Sequence, residues 1–171
     1  MRPVQPKIIP FERIAAVAEG LREKGSRIVF TNGCFDLLHI GHIRYLSAAR
    51  DCGDCLVVGL NADESVHRIK GPERPVTPED QRAEVLAALS CVDFITVFSE
   101  DTPKRLIAAV RPHVLVKGAD WAEADIVGAD IVRADGGDVV RIPVVKDVST
   151  TGIIARIRSA QPPLPPGKTP R

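Results

Sequence analysis

The sequence predicts an α/β fold in which a doubly wound, five-stranded parallel sheet carries helices on both faces. Five short apolar segments rich in β-branched residues alternate with segments of helical periodicity, and this alternation is typical of parallel sheets that are buried on both sides. Right-handed crossovers then build the doubly wound arrangement. A length of 171 residues suits one domain with a single core.

Strand and helix signals follow one another along the chain. A first helix is predicted over 11–24 and ends before Gly25. The strands are predicted as RIVFT (27–31), CLVVGL (55–60), DFITVF (93–98), HVLVK (113–117) and DVVRIPVV (138–145). The remaining helices are predicted over 40–53, 78–90, 102–110, 122–137 and 150–160, and RIKGPERPV (68–76) as a mobile loop. We expect a helical extension at 1–26, one domain at 27–160 and a disordered proline-rich tail at 161–171.

Composition excludes several classes of protein. The 23 basic and 22 acidic residues give a formal net charge of +1, so the chain lacks the basic field of nonspecific nucleic-acid or anionic-membrane binders. No apolar stretch approaches the roughly 20 residues of a membrane span, and the N-terminus has no signal-peptide core. We expect a soluble, cytoplasmic protein that binds neither nucleic acid nor membrane.

Two short motifs carry little weight. Cys52-Gly53-Asp54-Cys55 has the spacing of a redox pair, but it follows a predicted helix end, and no second pair completes a zinc site. Gly-Lys-Thr at 167–169 lacks the earlier glycine of a phosphate-binding loop, because position 162 is proline. We interpret the cysteines as small reduced residues and the tail as no nucleotide site.

The strongest chemical signal is TNGCFDLLHIGH at 31–42, in which His39 and His42 flank Gly41. The stretch joins the first strand to its helix, at the sheet edge where ligands of doubly wound folds bind. Gly33 allows a sharp turn, and Gly41 leaves room for a flat ligand group at the helix start. Free backbone N–H groups and the helix dipole favour an anion there. Two imidazoles beside such a site predict anion binding rather than packing.

Two other interpretations of this stretch are weaker. Zinc ligands on one helical face favour a spacing of four, and Asp36 alone does not complete a ligand set. Cys34 with a histidine base would form a nucleophile, but no third member of such a triad is evident.

Four segments carry a resemblance to a known family. GCFDLLHIGH resembles the signature of the cytidylyltransferase-like nucleotidyltransferases, whose His-x-Gly-His binds triphosphate, and DVSTTGII resembles their Ser-Thr-Thr segment at the last helix. GLNADESVHRIKGPERPV and VLVKGADW are similar to one branch, the heptose 1-phosphate adenylyltransferases of lipopolysaccharide biosynthesis in the form without a kinase domain. The resemblance covers about residues 10–158 and implies a Rossmann-like nucleotidyltransferase fold.

The resemblance implies that a phosphate oxygen of D-glycero-D-manno-heptose 1-phosphate attacks the α-phosphorus of ATP, which gives ADP-heptose and pyrophosphate. A phosphate monoester is mostly dianionic at pH 7, so no general base is required, and the site must supply positioning and positive potential. Mg²⁺ is expected as the companion of ATP, held mainly by phosphate oxygens and water, with no metal site in the protein. A homodimer is compatible with the resemblance.

The resemblance also assigns roles to individual residues. The implied catalytic residues are His39, His42, Lys70 and Arg82. The implied nucleotide-binding residues are Thr31, Asn32, Gly33, Cys34, Phe35, Gly41, Lys117, Gly118, Asp120, Trp121, Ser149, Thr150 and Thr151. The implied substrate-binding residues are Asp36, Arg44, Asn61, Asp63 and Arg74, with Asp36 expected to hold its loop rather than react. Helix capping is the alternative role of Ser149–Thr151 and Asp63, and packing that of Trp121.

Other activities stay open at this point. GTP with the other anomer, or CTP with glycerol 3-phosphate, would use the same mechanism. A nucleotide-sensing module that binds without turnover is the alternative from another class, although the intact histidine and Ser-Thr-Thr segments argue against it.

Overall fold

The computed structural model describes residues 5–159 and has five parallel strands in one sheet. The strands are β1 (Ile28–Gly33), β2 (Cys55–Asn61), β3 (Phe94–Phe98), β4 (Val114–Gly118) and β5 (Asp138–Ile142). Their order across the sheet is β3-β2-β1-β4-β5, with every neighbouring pair parallel. The predicted doubly wound α/β fold is therefore confirmed, and the strand order reverses between β1 and β4.

Seven α-helices connect and cover the strands within the described range. They are α1 (Phe11–Glu23), α2 (Ile40–Arg50), α3 (Asp63–Lys70), α4 (Glu79–Ala87), α5 (Lys104–Val110), α6 (Ala129–Ala134) and α7 (Thr150–Ser159). None of them is long and apolar enough to cross a membrane.

Both faces of the sheet are buried under helices, as the β-branched strands require. On one face, α1 contributes the fully buried Ile14 and Ala18 to a cluster with Phe30 of β1 and Leu106 of α5. The other face packs under α2 and α4, which contribute apolar residues such as Leu46. The first helix is thus continuous with the core of the sheet.

Three elements differ from the predicted pattern. The sequence predicts a loop over 68–76 and no element over 63–67, whereas α3 (Asp63–Lys70) occupies this stretch with one fully buried apolar side chain, Val66, among mostly polar residues. Acids in its first turn and bases in its last turn stabilise it through the helix dipole. The single helix predicted over 122–137 is a short 3₁₀ turn followed by α6, because Gly128 between them has φ +86°. Strand β5 ends at Ile142, since Pro143 cannot donate a sheet hydrogen bond.

The segment before α1 lies against the β3 edge of the sheet. Ile8 forms a parallel bridge with Ile95, and the Ile9 N–H donates to the Ile95 carbonyl at 2.8 Å. The Lys7 ammonium donates to the carbonyls of Leu89 and Val92, where α4 has ended. These contacts fix the chain before the first helix.

The cysteines of the CGDC motif lie at the end of the sheet opposite to the strand termini that carry the histidines. Cys52 follows α2, and Cys55 is the first, buried residue of β2. All four cysteines are free thiols, and burial raises the pKa of Cys52 and raises that of Cys55 to about 12. A thiol of raised pKa is a poor nucleophile, which agrees with a packing role. The Gly-Lys-Thr of the tail lies outside the described residues.

Candidate active site

A cleft of about 690 Å³ opens at the carboxyl ends of the strands. It lies across β1 and β4, where the strand order reverses, and its walls come from the segments that follow all five strands and from the start of α7. This is the position at which open α/β sheets bind ligands.

Most residues that the sequence assigns to a site line this cleft. They are Asn32, Gly33, Cys34, Phe35, Asp36, His39, Gly41, His42, Asn61, Lys70, Arg74, Lys117, Gly118, Asp120, Trp121, Ser149, Thr150 and Thr151. Four assigned residues do not line it: Thr31, Arg44, Asp63 and Arg82. The lining residues range in sequence from Asn32 to Thr151, and the parallel sheet brings them together because all its strands end on the same side.

The two histidines stack at the start of α2. Their ring centroids are 3.9 Å apart with an angle of 17° between planes, and Phe35 meets His42 edge-on at 5.3 Å. A Cβ on Gly41 would lie 3.0 Å from the His39 ring. The glycine of the motif therefore makes room for the imidazole of His39, whereas the sequence suggested room for a ligand.

Both imidazoles have a nitrogen with no partner within the described part of the chain. The Nδ1 atoms of His39 and His42 are buried and make no hydrogen bond, which is costly unless a ligand completes the site. Burial lowers the pKa of both histidines, and burial together with the neighbouring His39 lowers that of His42 to about 4. The pair is neutral at pH 7 without ligand, and each ring then has one N–H to donate.

The turn between β1 and α2 differs from the predicted one. Strand β1 continues through Asn32 and Gly33, and the residue with positive φ is Phe35, at +42°. A Cβ on Gly33 would lie 3.0 Å from the Phe35 ring. Gly33 is thus required for the packing of Phe35, and Phe35 in turn contacts His42.

Asp36 holds the segment after α3 in place. Its carboxylate accepts hydrogen bonds from the backbone N–H groups of Val76 and Thr77 at 2.8 and 3.0 Å, and from Arg74 Nε at 2.5 Å. Burial raises the pKa of Asp36, but these hydrogen bonds outweigh it and hold the pKa below its usual range. The expectation of a loop over 68–76 is corrected for its first three residues, which belong to α3. The remainder is hydrogen-bonded to Asp36 in this conformation, and its mobility stays a prediction.

The guanidinium of Arg82 lies behind the cleft and is fully buried. It donates to the carbonyls of Thr77 and Cys34 at 2.9 and 2.6 Å and to Asp63 Oδ1 at 2.6 Å. Arg82 and Asp63 thus bind each other and the walls of the cleft. Neither side chain is placed to touch a ligand in this conformation.

The other two assigned residues outside the cleft are at opposite extremes of exposure. Thr31 is fully buried, and its hydroxyl lies 2.7 Å from that of Tyr45. Arg44 is exposed on α2 and does not reach the cleft.

The floor of the cleft carries a buried cation. Lys117, at the end of β4, donates to the Asn32 side-chain oxygen and lies 5.7 Å from the centroid of the Trp121 ring. Burial lowers the pKa of Lys117 to about 8, although the charge of Asp120 opposes the shift. Trp121 itself is half exposed, so it has a free face beside the cleft.

Residues at the start of α7 cap that helix and connect it to the loop before the histidines. Ser149 Oγ accepts the Gly152 N–H at 3.0 Å, as an N-cap does. Thr150 Oγ1 donates to the Leu37 carbonyl at 3.1 Å and so ties α7 to the loop that precedes the histidines. Thr151 is exposed at the cleft. The predicted capping alternative is therefore present at Ser149.

Several lining residues were not predicted from the sequence. They are Tyr45, Ile69, Asp101, Thr102, Pro103, Asp125, Val127, Val144, Val145 and Val148. The loops after β3 and β5 account for most of them, and their position after a strand end was a usable signal. Tyr45 follows His42 by one helical turn, and its hydroxyl donates to the Val116 carbonyl at 3.2 Å.

The carboxylates at the cleft do not form a metal cage. Among residues 5–159, no group of three or more His, Cys, Asp or Glu side chains is close enough to hold an ion. Asp36 is occupied by Arg74 and two backbone N–H groups, and Asp101 is paired with Arg68. Asp120 and Asp125 are the lining carboxylates without an ion pair in this range.

Comparison with known proteins agrees with this geometry. The family model described as Cytidylyltransferase-like matches residues 30–156. The bifunctional protein HldE of Geotalea uraniireducens is 52% identical over 153 residues, which are 90% of this chain and 31% of that protein. HldE of Syntrophotalea carbinolica is 53% identical over 146 residues, 85% of this chain and 30% of that protein. The chain thus spans about a third of these relatives.

Two solved structures share the fold. The lipopolysaccharide core biosynthesis protein of Thermoplasma volcanium has a TM-score of 0.59 and 29% identity, and the match covers 72% of this chain and all of that one. The pantoate-beta-alanine ligase of Francisella tularensis, solved in complex with beta-gamma ATP and beta-alanine, has a TM-score of 0.61, and the match covers 88% of this chain and 76% of that one. Its 16% identity supports the fold alone.

Proposed function

Since this chain belongs to the cytidylyltransferase-like family, we propose that it transfers AMP from ATP to D-glycero-D-manno-heptose 1-phosphate. The products are ADP-heptose and pyrophosphate. The observation that carries the proposal is the stacked histidine pair, whose two unpartnered ring nitrogens lie in a cleft at the strand reversal. The choice of heptose rests on the segments that resemble heptose 1-phosphate adenylyltransferases and on the similarity to HldE proteins and to a lipopolysaccharide core biosynthesis protein.

The reaction needs positioning and charge stabilisation rather than a base. A phosphate oxygen of the sugar phosphate forms a bond to the α-phosphorus, the bond from the α-phosphorus to the bridging oxygen breaks, and its electron pair leaves with pyrophosphate. The nucleophile is already deprotonated near pH 7, since the second pKa of a phosphate monoester is about 6. Preorganised hydrogen-bond donors are then the main contribution of the protein.

The donors are distributed around the cleft. His39 and His42 donate to the triphosphate at the start of α2, where the helix dipole also favours anions. Thr151 at the start of α7 and Lys70 at the end of α3 face the same space. Trp121 and Asp120 border the nucleoside. Mg²⁺ would accompany ATP, held mainly by phosphate oxygens and water, and Asp120 and Asp125 are the carboxylates of the cleft that have no ion pair among the described residues.

Pyrophosphate release tests the proposed reaction. The purified protein with Mg²⁺ is assayed with ATP, GTP and CTP against both anomers of heptose 1-phosphate and against glycerol 3-phosphate. Release with ATP and a heptose 1-phosphate is the expected result. Pyrophosphate release with another nucleotide and acceptor would support the same mechanism with a different substrate. ATP binding without pyrophosphate release from any combination would indicate a nucleotide sensor. Cytoplasmic location and a homodimer stay predictions.

Substitution of a motif histidine tests the site itself. We expect His42→Ala to lower kcat on the order of 10²-fold or more, the scale for loss of one preorganised donor, with the fold intact by circular dichroism. His113→Gln serves as control, because His113 precedes β4 at the amino ends of the strands, away from the cleft, and its Nδ1 accepts the Ile28 N–H. Near-normal turnover of folded His42→Ala would contradict the assignment.

A further inference from the structure

Lys117 is a buried cation without an ion pair. Its side chain ends in the cleft with only 8% of the residue exposed, and its one hydrogen-bond partner is the neutral amide oxygen of Asn32. Among the described residues, no carboxylate lies within ion-pair distance of its ammonium, although Asp120 is near enough to influence its pKa. A buried charge of this kind is costly unless an anion completes its surroundings.

The other cations around the cleft are engaged or exposed. Arg74 is bound to Asp36, and Arg82 donates to three oxygens behind the wall of the cleft. Lys70 is exposed at the end of α3. In the part of the chain that the structure describes, Lys117 is therefore the buried cation at the cleft that still has N–H groups to donate.

Lys117 lines the same cleft as the histidine pair and Trp121, the two places that the proposed function gives to the triphosphate and the nucleoside. Tyr45 lies one helical turn after His42 and donates to the carbonyl of Val116, the residue before Lys117, so the histidine end of α2 sits against the end of β4. On the other side, the ammonium faces the ring of Trp121. A nucleotide with its triphosphate at the histidines and its nucleoside at Trp121 places its α-phosphate between them.

We propose that Lys117 is a catalytic residue whose ammonium, positioned by Asn32, donates to the α-phosphate oxygens and stabilises the negative charge that accumulates there during transfer. This inference rests on the proposed function, which leaves the α-phosphate without an assigned cation. The charge of the lysine is useful in this role because its side chain is buried, and a charge–charge contact in a buried position is stronger than one at the surface.

The proposal predicts a specific dependence on pH. Lys117 is charged below its pKa of about 8 and neutral above it, so kcat/KM is expected to fall as pH rises through about 8. Arginine does not titrate in this range, and Lys117→Arg is expected to keep part of the activity and to lose that alkaline limb. The other titratable groups of the cleft are Cys34, Asp36, His39, His42, Tyr45, Lys70, Arg74, Asp101, Asp120 and Asp125.

Turnover measurements compare three variants. Lys117→Met removes the charge at similar length and is expected to lower kcat on the order of 10²-fold, while it folds, because it removes an unpaired buried charge. Lys24→Met, which changes an exposed lysine after α1, is the control and keeps wild-type kcat. Unchanged kcat in Lys117→Met, or an alkaline limb that persists in Lys117→Arg, would overturn the proposal.

Calorimetry separates this proposal from the proposed function. At pH 8, where Lys117 is about half protonated, binding of AMP to the wild-type protein is expected to take up as much as about half a proton, since the phosphate raises the pKa of Lys117. The uptake is detected from the dependence of the binding heat on buffer. Adenosine is expected to cause no uptake, and neither ligand to cause it in Lys117→Arg. Equal uptake with adenosine, or uptake that survives in Lys117→Arg, contradicts a contact with the α-phosphate. This result does not depend on which acceptor the protein uses or on turnover.

Discussion

At the scale of single residues, the buried guanidinium of Arg82 joins three segments that surround the cleft. It binds the carbonyl of Cys34 before the histidine motif, the carbonyl of Thr77 before α4 and the carboxylate of Asp63 at the start of α3. We infer that Arg82 positions these walls instead of contacting a phosphate.

Removal of this guanidinium is expected to destabilise the protein strongly. Arg82→Leu leaves two carbonyls and the partly exposed carboxylate of Asp63 without their donor, and each buried acceptor left without a partner costs about 1–3 kcal/mol. Urea unfolding monitored by circular dichroism measures the change. Arg44→Ala, on the exposed face of α2, is the control and is expected to stay within about 0.5 kcal/mol of wild type. A loss below about 1 kcal/mol for Arg82→Leu would show that the network contributes little.

The sequence predicts the ligand-binding residues of the site better than it predicts the buried contacts that hold them in place. His39 and His42 are assigned because their motif resembles one that binds triphosphate, and Lys117 because KGADW resembles a segment that faces the nucleoside. Arg82 was assigned to the ligand because its residue type suits phosphate, but its burial depends on Asp63 and Cys34, which are 19 and 48 positions away. Such pairings follow from tertiary packing and leave no local pattern.

At the scale of elements, the segment between α3 and α4 is held by one carboxylate. Asp36 accepts the N–H groups of Val76 and Thr77 through the same oxygen and binds Arg74 through the other. At the far side of the segment, Arg158 of α7 pairs with Glu73 at 2.7 Å. The segment is thereby attached both to the loop after β1 and to the last helix.

Loss of the Asp36 carboxylate is expected to loosen this segment. Hydrogen bonds to a charged group contribute about 1.5–3 kcal/mol each, so Asp36→Ala should speed amide exchange at Val76 and Thr77 by about 10-fold or more. Hydrogen exchange measured by mass spectrometry gives the rates. In Asp101→Ala, which removes an exposed partner of Arg68, exchange at these two amides should not change. Unaltered exchange in Asp36→Ala would mean that other contacts hold the segment.

The depressed pKa of Asp36 fixes the sign of the pH effect. A carboxylate whose pKa is lower in the folded protein than in the unfolded chain contributes stability above its unfolded pKa. That contribution is lost as pH falls through the folded pKa. The protection factors of these two amides, which correct the exchange rates for their intrinsic pH dependence, should therefore fall in acid, below the ordinary range of an aspartate, and stay constant near neutrality.

At the scale of the whole molecule, α1 and the sheet share one core. The division into an extension at 1–26 and a domain at 27–160 stays a prediction, but Ile14 and Ala18 are fully buried against β1 and α5. We propose that α1 unfolds together with the sheet. The periodicity of 11–24 predicted the helix, whereas its partners could not be read from sequence, because α5 lies some 90 positions further along the chain.

Truncation of Ile14 tests this cooperativity. Ile14→Ala is expected to lower the free energy of unfolding by about 2–5 kcal/mol, as for other large-to-small changes in a core, in one transition that circular dichroism and Trp121 fluorescence report at the same urea concentration. Arg13→Ala, on the exposed face of the same helix, is the control with little effect. Separate transitions for the two probes would show that α1 is an independent appendage.

The contacts of residues 7–9 also affect whether other molecules of this protein can associate with the edge of the sheet at high concentration. An unpaired edge strand is a template on which another chain can add, and β3 would present such an edge if Ile8 and Ile9 did not occupy part of it. The opposite edge strand, β5, has the charged and exposed Asp138 and Arg141, which discourage an incoming strand. The short segment before α1 thus acts against aggregation, a role that neither its length nor its composition suggests.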